Sequence, residues 1–493
     1  MNVVYILSDR HNPEQTGCYG SPIARTPHID RLAEQGTRFT SAYCHSPICS
    51  PTRSAMMTGR YIHEIGIWDN TFVYAGTPRG WSHYFAEQGV QLTTIGKIDF
   101  QRNSDFGIED YRLSTFRENL DITSLFREQE ILPRFDSLSK FRANGPAESM
   151  DAFAQDAAIA REAVQWLADE RPEDRPWILM VNFNDMHRPW NPPQQLWDHY
   201  DALIDLDQLD ERFFEDFDHL HPFHRTFARH HLGQHLDQED MRCALVGYHG
   251  ACQILDQHVG QVLDALEQTG QREETLIVYA SDHGGTSGEH RNYDHGAFYD
   301  GSIRIPLVFT GPGIQANVVE PSVVSALDIL PTLCQAVGRE VPDHLRGTSL
   351  LPLLRGEEDA PRPDFAFCEY HGAGYNGSVF AICSGQYKYI ECVGERPMLF
   401  NLQRDPLEMH DLVVEQPNAP EIQSTIRHFR QQLYQICAPE TIDARVKADQ
   451  RARRRELAQS GRLFDEMWKR GYEKNPAHLI HRPNIALEYP SVY

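Results

Sequence analysis

The sequence predicts an α/β fold: a large mixed, mostly parallel sheet flanked by helices, followed by a smaller antiparallel unit carrying a helix. Three observations predict it. Short runs of β-branched and aliphatic residues at 3–7, 177–183 and 275–281 alternate with amphipathic helical stretches, the pattern of βα units whose strands are buried on both faces. Each run stops at polar or charged residues, where open α/β sheets place their ligands. Beyond a Gly-, Glu-, Asp- and Pro-rich stretch at 355–364, four short strand-like segments (365–370, 378–383, 387–392, 398–402) precede a helical one at 420–437. The expected division is therefore 1–360, 361–437 and a tail at 438–493. That tail is basic at Arg451–Arg455 and reads as too irregular for a core, suited to docking or oligomerisation.

Composition narrows the function classes. At 493 residues the chain exceeds the size of a single growing core. Its formal charge of −24 disfavours nucleic acid and anionic membranes as partners, so any anion site must be local. Ten cysteines occur without paired spacing, signalling neither a disulfide framework nor a zinc site. No apolar run approaches the ~18 residues of a spanning helix, and residues 1–7 are too short an apolar run for a secretory leader. A cytoplasmic protein is the expectation.

In chain order, the first strand ends at Asp9, which read alone also fits a turn or capping carboxylate. Thr26-Pro27 opens an amphipathic helix, and a strand over 39–43 leads to Cys49-Ser50-Pro51-Thr52-Arg53-Ser54-Ala55-Met56-Met57-Thr58-Gly59-Arg60. That stretch suits a loop entering a buried helix. Cys49 then stands at a helix N-terminus, where free N–H groups favour an anion, with the Arg53 guanidinium one turn on. Taken as five isolated residues, it fits a structural cysteine beside an arginine equally well. Gly66-Ile67-Trp68-Asp69-Asn70, a helix at 81–88 and a strand ending Gly96-Lys97-Ile98-Asp99 follow, and 101–150 reads as polar surface insertion. A helix at 150–169 precedes the 177–183 strand, which places His187 in the loop beyond it. The histidines of 195–240 lack ligand spacing. The helix at 241–266 leads to the 275–281 strand and Asp282-His283-Gly284, where carboxylate and imidazole suit a hard divalent cation.

The run from Cys49 to Arg60 closely resembles the signature of type I sulfatases, Cys-x-Pro-x-Arg followed by Thr-Gly-Arg. The order of the remaining landmarks, from Asp9 through Gly96-Lys97, His187 and Asp282-His283-Gly284 to Phe298-Tyr299-Asp300-Gly301, resembles the same family over most of the chain. The resemblance implies an alkaline-phosphatase-like fold and oxidation of Cys49 to formylglycine by a formylglycine-generating enzyme. It further implies metal ligation by Asp9, residue 49, Asp282 and His283, with calcium expected first and manganese or magnesium as alternatives. Arg53 would steady the formylglycine, Lys97 and His187 would contact the sulfate and leaving group, and Asp282 would accept a proton. The reaction implied is hydrolysis of a small anionic sulfate ester through a sulfated formylglycine. Phosphonate monoester, phosphodiester or sulfamate hydrolysis, and a non-catalytic anion-binding homologue, remain as alternatives.

The branch resembled is that of choline sulfatases and phosphonate monoester hydrolases, on Asp9-Arg10, Asp282-His283 and Trp68-Asp69-Asn70. It implies substrate contacts from Asn70 and, for an ammonium group, from Glu369. Two positions depart from the family pattern: Asp99 stands where a histidine is usual and His295 where a lysine is usual. From these we expect a less positive pocket, in which a dianionic phosphate fits poorly, and an Asp99 carboxylate facing the His295 imidazolium across at most one water.

Overall fold

The computed structural model describes residues 1–128, 131–293, 295–357, 362–470 and 472. Its larger sheet has eight strands: β1 Asn2–Ser8, β2 Thr37–Tyr43, β3 Gln91–Gly96, β4 Asp110–Arg112, β5 Trp177–Asn182, β6 Thr275–Ser281, β7 Leu307–Thr310 and β8 Val318–Ser325. They lie in the order β4-β3-β5-β1-β6-β7-β2-β8. Pairing is parallel except at β7, which runs antiparallel to β6 and β2.

Register decides where the chemistry sits. Leu7 pairs with Asn182 on one side of β1, and Ser8 pairs with Ser281 on the other. Gly96 of β3 also pairs with Asn182. Because the central strands are parallel and stop level with one another, the residues that follow them, Asp9, Lys97 and Asp282, emerge at one edge of the sheet. Backbone hydrogen bonds continue past the strand ends: Asp282 N–H donates to Ser8 O at 3.1 Å and Lys97 N–H to Asn182 O at 3.0 Å. β1, β5 and β6 are almost wholly buried, as two-sided coverage requires. The Gln238–Gln268 helix covers one face, burying residues such as Tyr248, Leu255 and Val262.

The smaller sheet is antiparallel, β12-β11-β10-β9, formed from β9 Phe365–Tyr370, β10 Val379–Ser384, β11 Tyr387–Cys392 and β12 Met398–Asn401. The Pro420–Ile436 helix packs Ile422, Phe429 and Leu433 against it. Lys388 of β11 is tied to the short Asp300–Ile303 helix: its buried ammonium donates to Asp300 at 2.8 Å and also pairs with Glu408. The boundary expected near 360 falls among residues 358–361, outside the described residues.

The tail is helical where the sequence read as irregular. Residues from 438 form two helices, Pro439–Gln459 and Arg462–Lys469, docked on the body of the same chain. On the first of them two of the buried anchors are polar, which weakens its apolar period. Asp443 receives the buried Arg127 guanidinium at 2.9 Å, and Gln450 Nε2 donates to Asp69 at 2.7 Å. Leu457, Leu463 and Met467 pack on Leu120, Ile122 and Phe126. The part of the tail from 473 lies outside the described residues. All ten cysteines are free. Among the described residues, no helix is long and apolar enough to cross a membrane.

Candidate active site

Cys49 is the first residue of the Cys49–Thr58 helix, every residue of which is buried. The helix closes at Gly59, whose φ of 66° suits the left-handed position that glycine adopts without strain. Arg53, one turn in, points back to the strand ends: Nε donates to Asp282 Oδ2 at 2.8 Å, Nη2 to Asp9 Oδ2 at 3.3 Å and Nη1 to Lys97 O at 2.8 Å. Its charge therefore ties three strand ends to the nucleophile's helix.

Asp9, Cys49, Asp282 and His283 each offer one buried ligand atom, and these four atoms lie within 4.8 Å of one another. The donor set fits a divalent cation. His283 Nδ1 lies 2.7 Å from Gly284 O, so an N–H there donates to the carbonyl and leaves Nε2 facing Cys49 Sγ at 3.3 Å. Asp9 Oδ1 is buried without a well-formed hydrogen bond, although Arg10 and His187 approach it at 3.4 and 3.0 Å. The charges agree. Burial drives the His283 imidazolium down, but Asp282 and Cys49 overcome it and hold the group up at about 10.

The other shifts follow from the same crowding. Burial and the Asp9 charge push the Cys49 thiol up, yet Lys97, His283 and His187 together bring it well below the ordinary thiol range. At Asp282, burial and Asp9 outweigh His283 and Arg53, and the carboxyl is raised. Asp9 goes the other way, since His187, Lys97 and Arg53 overcome its burial.

Lys97 Nζ donates to Asp9 Oδ2 at 2.5 Å and lies 2.8 Å from His187 Nε2. Lys97 is buried, whereas the His187 side chain is 31 % exposed and lines the cleft over Cys49. The His187 turn is held by Asp156, whose carboxylate accepts from the backbone N–H of Asn184 at 2.8 Å and of Asp185 at 2.9 Å. Asn70 also lines the cleft, and its Oδ1 accepts from Ser50 N at 3.1 Å.

Three expectations are corrected here. Glu369 is 1 % exposed and locked between His63 and His371, each at 3.0 Å, so it is not presented to a substrate ammonium. Burial was underestimated because β9 lies inside the second sheet's junction with the first. Among the described residues Asp99 is paired not with His295 but with Arg117 and, at 3.4 Å, with Lys97, while His295 stacks on His283 with ring centres 4.8 Å apart. The missing positive charge at 99 is instead supplied by Arg117. The cleft is consequently not poor in positive charge. About 220 Å³ in volume, it is lined among the described residues by Arg10, Arg117, Arg134, Lys140, Arg188 and Arg470, against only Asp121 and Asp136. Of these cations, Arg10 and Arg188 had a sequence signal, their places beside Asp9 and His187. Arg117, Arg134, Lys140 and Arg470 lie far in sequence from the strand ends that mark the site.

A buried cysteine at a helix N-terminus, four atoms that could hold a cation and a histidine beside them, all at parallel strand ends, bring together groups suited to metal-assisted ester hydrolysis. Residues 1–339 match the sulfatase family, and 288–437 match the N-sulphoglucosamine sulphohydrolase C-terminal family. The chain belongs to the sulfatase family and is a sulfuric ester hydrolase. It is 28% identical over 473 residues to a choline-sulfatase of Rhizobium meliloti, covering 92% of this chain and 90% of that protein. To the arylsulfatase K of Mus musculus it is 28% identical over 439 residues, 84% and 76% of the two chains. Among solved structures, the phosphonate monoester hydrolase of Agrobacterium radiobacter superposes with a TM-score of 0.71 at 23% identity, over 90% and 96% of the chains. These likenesses carry the alkaline-phosphatase-like fold expected above.

Proposed function

We propose that the chain hydrolyses a small anionic sulfate ester with residue 49 converted to formylglycine and a divalent cation, calcium first, held by Asp9, residue 49, Asp282 and His283. The observation that carries this reading is the convergence of those four buried ligand atoms at the N-terminus of the Cys49–Thr58 helix, with Arg53, Lys97 and His187 around them. The Cys49 Sγ stands where the oxygens of the hydrated aldehyde would lie. When bound, the cation would polarise a sulfuryl oxygen and favour an ionised hydroxyl. As a hydrated aldehyde, residue 49 would offer one oxygen to sulfur and a second whose carbonyl re-forms as sulfate leaves.

The remaining work falls to this chain's own side chains. Asp282, raised by burial and the Asp9 charge, accepts the proton of the attacking hydroxyl. His187, which lines the cleft together with His295 and contacts Lys97 and Asp9, gives a proton to the departing alkoxide. Lys97 holds His187 and Asp9 in place. Arg53 fixes Asp282 and Asp9 against the helix, and Asn70 with Arg117 contacts the outer sulfuryl oxygens.

Maturation by a formylglycine-generating enzyme belongs to the same proposal. So does a cytoplasmic setting, supported by cysteines none of which is paired in a disulfide and checked by fractionating the native cells. The test compares kcat/KM for an aryl sulfate, the matching aryl phosphonate monoester and an aryl sulfamate, with calcium and manganese each supplied. The sulfate is expected to lead. A phosphonate preference of tenfold or more would move the reading to that reaction.

A further inference from the structure

The floor of the cleft over Cys49 hangs from strand ends, and its outer wall comes from the segment beyond β4 and from the end of the C-terminal helices. Asn70 enters between them, from a loop at 68–71 that belongs to no strand or helix. A turn headed by Asp69 gives that loop its shape. The main-chain carbonyl of Asp69 accepts from Phe72 N–H at 3.0 Å, and its Oδ1 accepts from the N–H and the hydroxyl of Thr71 at 2.8 and 2.5 Å. Asn70 is a central residue of this turn. Its Oδ1 is taken by the N–H of Ser50, next to residue 49, which leaves the amide N–H₂ as the group it can offer a sulfuryl oxygen.

One face of the Pro439–Gln459 helix grips the turn from outside. Val446, Asp449, Gln450 and Arg453 recur at helical spacing, and each takes a different part of the loop. Val446 packs with Trp68 and with Ala55 of the Cys49–Thr58 helix. Asp449 accepts from Trp68 Nε1 at 2.9 Å, and Arg453 Nε donates to Thr71 O at 3.2 Å. Gln450 is 2 % exposed, and both ends of its amide are engaged. Nε2 donates to Asp69 Oδ2 at 2.7 Å and to His371 O at 2.9 Å, while Oε1 accepts from Arg127 Nε at 2.9 Å. An amide so engaged has one orientation, and it fixes the carboxylate that heads the turn.

Resting on the sulfatase reading above and on its Asn70 contact, we propose that Gln450, with Arg453 beside it, is a positioning residue for the substrate: the C-terminal helix clamps the 68–71 turn so that Asn70 meets the sulfuryl group. A donor fixed before binding gives up little freedom when the ester arrives, so the clamp strengthens ester binding. The helix residues touch no reacting atom in this arrangement. They act on the substrate only through Asn70, and their effect should vanish when Asn70 is removed.

The experiment is a double-mutant cycle on the full-length, matured, calcium-loaded enzyme with an aryl sulfate: wild type, Gln450→Met, Asn70→Ala and the double variant. Asn70→Ala is expected to raise KM about 10-fold, as loss of one hydrogen bond to a charged group allows, and Gln450→Met, which keeps the side chain's length without its hydrogen bonds, roughly three- to fivefold. The double variant should match Asn70→Ala alone. Arg453 is partly open to solvent, so Arg453→Ala keeps the test open if Gln450→Met does not fold; it should raise KM about twofold in the wild type and not at all beside Asn70→Ala. Arg453→Lys should regain most of that loss. A KM that neither helix variant moves while Asn70→Ala raises it, or single losses that multiply in the double variants, overturns the clamp and leaves the helix a structural prop. A KM unchanged by Asn70→Ala removes the contact the clamp serves, and the clamp with it. If no sulfate ester is turned over, the sulfatase reading itself fails. In that event, calorimetric binding of inorganic sulfate to the same proteins decides the clamp: affinity that falls with Gln450 or Arg453 only while Asn70 is present supports it, and additive or absent losses remove it.

Discussion

The floor of the cleft and its outer wall are built on opposite principles. The floor hangs from strand ends brought level by parallel pairing, Leu7 with Asn182 and Ser8 with Ser281, so Asp9, Lys97 and Asp282 have little freedom. The wall is assembled from an irregular segment and a C-terminal helix pair that meet through Leu120, Ile122, Phe126 and Met467. Chemistry is placed by backbone register, and recognition by side-chain packing between segments distant in sequence. Floor substitutions should therefore destroy turnover, whereas substitutions in the wall and the helices behind it should only weaken it.

The largest effect is expected on the floor. Cys49→Ala should lower kcat/KM at least about 10⁴-fold with the fold intact, as loss of a nucleophile does. Asp9→Asn and Asp282→Asn should do comparably and also lose bound calcium, measured by elemental analysis of the purified protein. Chelation should abolish activity and lower the unfolding midpoint, and calcium should restore both. A floor variant that keeps its cation and most of its rate would break the contrast.

Next comes the support of the floor. Asp156→Asn removes the carboxylate that two backbone N–H groups of the His187 turn share, and kcat should fall roughly 10- to 100-fold with KM little changed. Stopped assays against two leaving groups of different pKa check it: the poorer leaving group should suffer more, because His187 protonates it.

Smaller effects test how the tail serves both regions. Gln450→Ala frees Asp69 beside Asn70 and should lower the unfolding midpoint by about 2 °C, with a few-fold rise in KM. The smallest effect is a pH dependence at the half-buried Asp185, which burial holds up at about 6. Because its folded pKa lies above the unfolded value, the stability this carboxyl contributes is present below about pH 4 and is lost as pH rises through 6. Relative to the wild type, Asp185→Asn should therefore gain stability between pH 4 and 7, measured by denaturant unfolding.

The same contrast explains what was legible in the sequence. Strand runs ending in Asp9, Lys97 and Asp282 announce themselves through β-branched residues followed by charge, and the four strands of the smaller sheet lie within a residue or so of their expected places. Cys49 and Arg53 were readable because one helical turn separates them. The Pro439–Gln459 helix was not readable, since Asp443 and Gln450, anchored by hydrogen bonds, weaken its apolar period. Asp99 misled for a related reason: its partner Arg117 lies 18 residues on, past β4, and nothing local marks it.

The central claim is that residue 49, converted and beside a bound cation, does the chemistry. Its most direct test is mass spectrometry of the peptide spanning Cys49 across preparations matured to different extents, with aryl sulfate turnover measured on each. The account predicts loss of sulfur and gain of a carbonyl oxygen at residue 49, with kcat proportional to the converted fraction. Full activity in protein whose Cys49 remains an unmodified thiol would contradict it.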